Sequence, residues 1–109
     1  MNEEARIPTH IWVGAGIRQA NQDGTPAMLR HRGEAMDGQV YVKIDLLDGR
    51  AWVLIRQRNI QGDLSWTSVP RSEPLSTDEA ESYLERVLQR DPDSWIIEVE
   101  DRKGRNPFE

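Results

Sequence analysis

The chain has 109 residues, and 14 lysines and arginines against 19 aspartates and glutamates leave a formal net charge of −5. Apolar residues make up 37% and charged residues 30%, a balance that supports a folded core and excludes a disordered acidic chain. Cysteine is absent, so disulfides, thiolate nucleophiles and thiolate-ligated metal sites are excluded.

No apolar run approaches the roughly 18 residues of a membrane span. Met1-Asn2-Glu3-Glu4 is acidic and lacks the basic and apolar regions of a signal peptide. These features set the expectation of a cytoplasmic protein with no membrane contact. They also set that of one small α+β domain over residues 1–109, frayed at about 1–7 and 104–109.

The first element, Thr9 to Asp23, fits two patterns. Ile11, Val13, Ala15 and Ile17 alternate as in a strand, whereas Val13, Ile17 and Ala20 share one helical face. Gly24 stands where a helix C-terminus favours glycine, and a helix over about 11–21 is the preferred reading. Gly14 and Gly16 each weaken that helix by about 1 kcal/mol. A strand over about Thr25 to His31 follows, with Ala27 and Leu29 alternating against Met28 and Arg30.

A hairpin over 40–57 carries the strongest local signal. Asp48-Gly49 favours a two-residue type I′ turn, which pairs Leu46 with Ala51, Ile44 with Val53 and Val42 with Ile55. That register predicts an aliphatic face of Val42, Ile44, Leu46, Ala51, Val53 and Ile55. It leaves a mixed face of Tyr41, Lys43, Asp45, Trp52, Leu54 and Arg56. Such a face is too apolar for bulk water and too charged for a sealed core, so a chain segment or a partner covers part of it.

A shorter strand over about Leu64 to Val69 places Leu64, Trp66 and Ser68 on one side. Ser76 followed three residues later by Glu79 is a capping box that opens a helix. Ala80, Tyr83, Leu84, Val87 and Leu88 then recur at helical spacing until Asp91-Pro92 ends it. The last strand sets Trp95, Ile97 and Val99 against Ile96, Glu98 and Glu100. The whole predicts an α+β fold. An antiparallel sheet of about five strands, including the 40–57 hairpin, packs against a helix at about 77–90 and an N-terminal helix at about 11–21.

Catalytic chemistry finds little support. His10 and His31 are the only imidazoles, no Gly-x-Ser-x-Gly elbow is present, and two histidines twenty-one residues apart give no zinc spacing. Glu98 and Glu100 share a strand face and form the weak alternative for a magnesium-dependent enzyme. Pro92-Asp93 before Asp101-Arg102-Lys103 mimics a nuclease signature. On one extended strand, however, those aspartates stand roughly 26 Å apart, too far for one metal. Glycine-rich phosphate loops are missing, and no cofactor is implied.

What remains is an arginine and aromatic surface. All but Lys43 and Lys103 of the basic residues are arginine, a side chain suited to carboxylates and phosphates. Arg30 and Arg32 on one strand, with Tyr41, Lys43, Trp52, Arg56 and Arg58 on the hairpin, form the candidate binding surface. Trp12, Trp52, Trp66 and Trp95 are many for this length and suggest rim packing or an association surface.

Several blocks together resemble a known bacterial family. They are Ile11-Trp12-Val13, Arg32-Gly33-Glu34, Gly38-Gln39-Val40, Val42-Lys43-Ile44 with Asp48-Gly49, and Arg90-Asp91-Pro92-Asp93-Ser94-Trp95. Glu98-Val99-Glu100-Asp101-Arg102 and Gly104-Arg105 complete the set. The chain resembles domain-of-unknown-function family 1491, mostly alphaproteobacterial, over about residues 9 to 105. Members of that family usually carry an aspartate where this chain has Glu34, and often a second arginine where it has Arg18-Gln19. The resemblance implies a small cytoplasmic bacterial protein and brings no activity to any residue here.

The leading expectation is therefore a non-catalytic interaction or structural module that works through a protein partner or self-association. Phosphate or single-stranded nucleic-acid binding through the arginine surface is the alternative, disfavoured by the net charge.

Overall fold

In the computed structural model, residues 7–109 are described. Helix α1 spans Thr9–Gln22, followed by β1 (Ala27–His31), β2 (Val40–Asp45), β3 (Arg50–Arg58), β4 (Leu64–Ser68) and a short β5 (Leu75–Ser76). Helix α2 (Thr77–Arg90) and strand β6 (Trp95–Glu100) complete the order. The predicted α+β class and both helices are present. Ser76 Oγ accepts from Glu79 N and the Glu79 carboxylate accepts from Ser76 N, so the capping box closes as its spacing requires.

The sheet runs β1-β6-β2-β3-β4, with β5 pairing β3 beyond the end of β4. It is mixed, where an antiparallel sheet is expected from the sequence. Every neighbouring pair is antiparallel except β2 with β6. The physical reason is the crossover: α2 lies over one face and returns the chain so that β6 enters between β1 and β2 and runs along β2. Ala80, Leu84 and Val87 of α2 pack on Tyr41, Ala51, Val53, Ile55, Leu75 and Ile96. On the opposite face, Val13 of α1 packs on Val40, Val42, Ile44, Trp95, Ile97 and Val99.

The hairpin differs from its predicted register by one residue. Observed partners are Lys43 with Val53, Ile44 with Trp52 and Val42 with Leu54. Leu46 N donates to Arg50 O at 3.0 Å, so three residues, Leu47, Asp48 and Gly49, form the loop. Leu47 takes φ of 61° and Gly49 φ of 89°; glycine adopts such values at no steric cost. The Asp45 carboxylate accepts from Leu47 N at 2.8 Å and helps hold the loop. Val42 and Ile44 therefore share the α1 face with Trp52, Leu54 and Arg56. Tyr41 and Lys43 share the α2 face with Ala51, Val53 and Ile55. Hydrophobic pattern fixes register when one face is buried and the other wet. β2 is buried on both faces, so the pattern loses that power and the loop decides.

The C-terminal residues depart from the frayed end expected at 104–109. Asp101 accepts from Arg105 Nε at 2.9 Å, and the chain passes Gly104 beside Leu46 and Trp52 before Phe108 packs on Gly16 of α1. Phe108 joins the α1-side core because the absence of a side chain at Gly16 leaves room for its ring. Of the frayed segment expected at 1–7, residues 1–6 lie outside the described residues, and Ile7 is exposed.

A third arrangement joins the loops of the α1 side. Residues 32–39 wrap Trp95, whose Nε1 donates to Glu34 O at 2.7 Å. Glu34 N donates to Asp93 O at 2.9 Å. A Cβ at Gly33 would run into Asp93 O and the Trp95 ring; only glycine allows that approach. Thr9 N and Oγ1 both donate to Met36 O, which ties the start of α1 to the same loop.

Candidate functional site

The seven predicted surface residues are divided among three places. Arg30, Tyr41 and Lys43 lie on the α2 side of the sheet. Lys43 is only 4% exposed, and its ammonium contacts Glu81 at 2.5 Å and Glu98 at 3.7 Å. Arg30 reaches the same two carboxylates at 2.7 and 3.0 Å. Two cations and two anions thus neutralise one another between α2 and β1, β6 and β2. The Arg30 hydrogen bond, followed by Lys43, holds the Glu81 carboxyl at about 2, well below its ordinary value of 4.5. Burial pushes the Tyr41 hydroxyl up. These groups join α2 to the sheet.

Glu98 and Glu100, the weak metal alternative, do not converge on one point. Glu98 is held by Arg30 and Lys43, and Glu100 stands exposed at the strand end. Among the described residues, no three His, Cys, Asp or Glu side chains form a group able to hold a metal ion. The imidazoles of His10 and His31 contact the carbonyls of Ala35 and Ser94, fixing the loops beside Trp95. A shallow depression beside α2 is lined by Arg71, Tyr83 and Arg86. Its Arg71 is already paired with Glu73 and Glu79.

Arg32 belongs to the Trp95 loop, with its guanidinium 5.2 Å from the ring centroid. Trp52, Arg56 and Arg58 share the α1 side of β3. Trp52 is covered by the chain itself, since a Cβ at Gly104 would stand 3.3 Å from its indole. Arg58 donates to Gly62 O at 2.6 Å across the β3–β4 turn.

Arg56 marks the surface that composition and spacing did not reveal. Its guanidinium stacks on Trp12 of α1, 4.2 Å from the ring centroid. Its directly opposite partner on β4 is Trp66, and Arg58 faces Leu64 in the same way. Among the described residues Arg56 makes no ion pair. Burial, then the neighbouring Arg58 charge, lowers its pKa, the reverse of what a carboxylate neighbour would do. Around it Trp12, Leu54 and Trp66 are half-buried, and Leu64 is 46% exposed. Ile60, at the tip of the β3–β4 turn, is fully exposed. The predicted β4 alternation already placed Leu64 and Trp66 on one side. Their meeting with Trp12 and Arg56 depends on tertiary packing.

Residues 7–109 match the model of a family described as "Protein of unknown function (DUF1491)". The chain belongs to the DUF1491 family. Two structures of a DUF1491 family protein from Caulobacter crescentus are similar to it. The crystal structure has a TM-score of 0.83 at 35% identity and covers 95% of each chain. The NMR structure has a TM-score of 0.80 at 34% identity, covering 95% of this chain and 94% of that one. A solution structure of an A. tumefaciens protein, 23% identical with a TM-score of 0.73, shares the fold over 89% of this chain and 87% of its own. No curated protein matches. The DUF1491 fold thus accounts for nearly the whole chain. Among the described residues, no helix is long and apolar enough to cross a membrane.

Proposed function

We propose that this DUF1491 chain is a protein-interaction module that docks a partner on the α1 side of β3 and β4. The observation that carries this reading is the Arg56 guanidinium, which stacks on Trp12 opposite Trp66 of β4, next to the exposed Leu64, and makes no ion pair among the described residues. Arginine and tryptophan are the side chains that most often anchor protein interfaces. A cation half-removed from water without a carboxylate gains when a partner supplies one. The four-charge cluster around Lys43 is internally satisfied and sits against α2, so it serves the fold.

The test is the elution of the tagged chain from a cell extract by size-exclusion chromatography. The wild-type chain is expected ahead of the 12.6 kDa monomer position, and the Arg56→Gln/Leu64→Ser variant at that position, with circular dichroism showing it folded. A wild-type chain that elutes as a monomer in the extract overturns the reading.

A further inference from the structure

We infer that the free edge of β4 takes up an extended acidic protein segment as an added strand, with its carboxylates beside Arg56 and Arg58. This rests on the docking reading above and supplies the chemistry of the partner.

The backbone pattern identifies the free groups. Val69 N donates to Val53 O at 2.9 Å and Asn59 N to Asp63 O at 2.8 Å. With the antiparallel register of β3 and β4, residues 63, 65, 67 and 69 turn their backbone toward β3. Leu64, Trp66 and Ser68 turn theirs outward. β4 ends the strand path, and no lysine, arginine or proline stands within Leu64–Ser68 to guard that edge. The opposite edge differs. β1 has a register irregularity between Leu29 and His31, and its Arg30 is ion-paired.

Charge selects the occupant. Arg56 and Arg58 stand two residues apart on one face, and among the described residues neither makes an ion pair. A strand added to β4 sets every second side chain on that face beside Leu64 and Trp66, in line with Arg58 and Arg56. Acidic residues at those alternate positions neutralise both guanidinium groups, and apolar contacts with Leu64 and Trp66 accompany them. A single-stranded nucleic acid could meet the arginines and stack on the indoles, but it has no amide ladder for Leu64, Trp66 and Ser68.

The probe is a fluorescein-labelled octapeptide of alternating glutamate and valine, titrated by anisotropy against the full chain. A lysine–valine octapeptide and an oligothymidylate serve as comparisons. The acidic peptide is expected to bind, with affinity falling as salt is raised. The Arg56→Gln/Arg58→Gln variant is expected to lose about tenfold or more. On binding, amide exchange is expected to slow at Leu64, Trp66 and Ser68 and to stay unchanged in β1. Three results would each overturn the assignment: no binding of the acidic peptide, binding indifferent to the arginine variant, or protection away from β4. Oligothymidylate binding in the peptide's stead at this face also overturns it. If the elution shift in extract persists while the acidic peptide fails, docking stands and the acidic strand is wrong.

Discussion

Arg56 on β3 and Trp12 on α1 meet at 4.2 Å on the α1 side of the sheet, where β3 and β4 are only partly covered. α1 packs on β2 and β6 and reaches β3 mainly through Trp12. α2 covers β3 only from the other side. The contact follows from a helix packed mainly on β2 and β6, which leaves β3 and β4 with a half-wet face of tryptophan and arginine. Replacing Arg56 by glutamine is expected to change stability by less than about 1 kcal/mol while weakening acidic-peptide binding. Urea unfolding beside the anisotropy titration checks the pair of outcomes.

Lys43 gives the contrasting case. Its ammonium is buried between Glu81 and Glu98, and Lys43→Met leaves two carboxylates facing Arg30 as the one remaining cation among the described residues. The expected cost is about 2 kcal/mol, less than for a sealed pair because Glu81 opens to water. The urea midpoint reports it, and the surface around Trp66 is unaffected.

The same cluster sets an acid limit. Glu81 has its folded pKa lowered to about 2 from 4.5, so its contribution is complete above 4.5 and is lost as pH falls toward 2. Melting temperature is expected to drop through that window, and Glu81→Gln to flatten the drop. An unchanged acid profile in the variant would place the linkage elsewhere.

Gly33 is the tightest point of the Trp95 loop. Gly33→Ala drives a methyl group into Asp93 O and the indole, and strain of this kind costs about 1–3 kcal/mol. Trp95→Phe removes the donor to Glu34 O and costs about 1–3 kcal/mol beyond the lost packing. Thermal melts of both variants measure these losses. The Trp95 indole N–H resonance of the alanine variant reports whether the loop has opened.

The C-terminal segment is a further stabilising element. Phe108→Ala removes the ring from Gly16 and is expected to cost about 1–2 kcal/mol, below the value for a fully buried phenylalanine. It also loosens the cover over Trp52. Faster amide exchange at Trp52 in the variant would show this directly.

Local chemistry was the legible part of this chain. Ser76 and Glu79 announced α2, Asp91-Pro92 its end, and the alternation of Leu64, Trp66 and Ser68 gave the correct face of β4. Asp48-Gly49 misled because Leu47 joins the loop and turns a two-residue connection into three. The resulting one-residue shift sent Tyr41 and Lys43 to one side and Trp52 and Arg56 to the other. With both faces of β2 buried, Tyr41 and Lys43 included, the pattern carried no sign of the error. Nuclear Overhauser contacts between the α-protons of Lys43 and Val53 check the observed register, since the earlier pairing puts Ile44 opposite Val53. Arg56 meeting Trp12 and Lys43 meeting Glu81 join residues 44 and 38 positions apart, which no local signal encodes.

The claim that β4 and its arginine neighbours form the docking face is tested most directly by photo-crosslinking in living cells. Benzoylphenylalanine replaces Leu64 in one chain and Glu85, on the exposed side of α2, in another. Irradiation is expected to join the position-64 chain to a discrete protein through an acidic segment identified by mass spectrometry, and to leave the position-85 chain free. A position-64 chain that stays free, or equal capture from both positions, would contradict it.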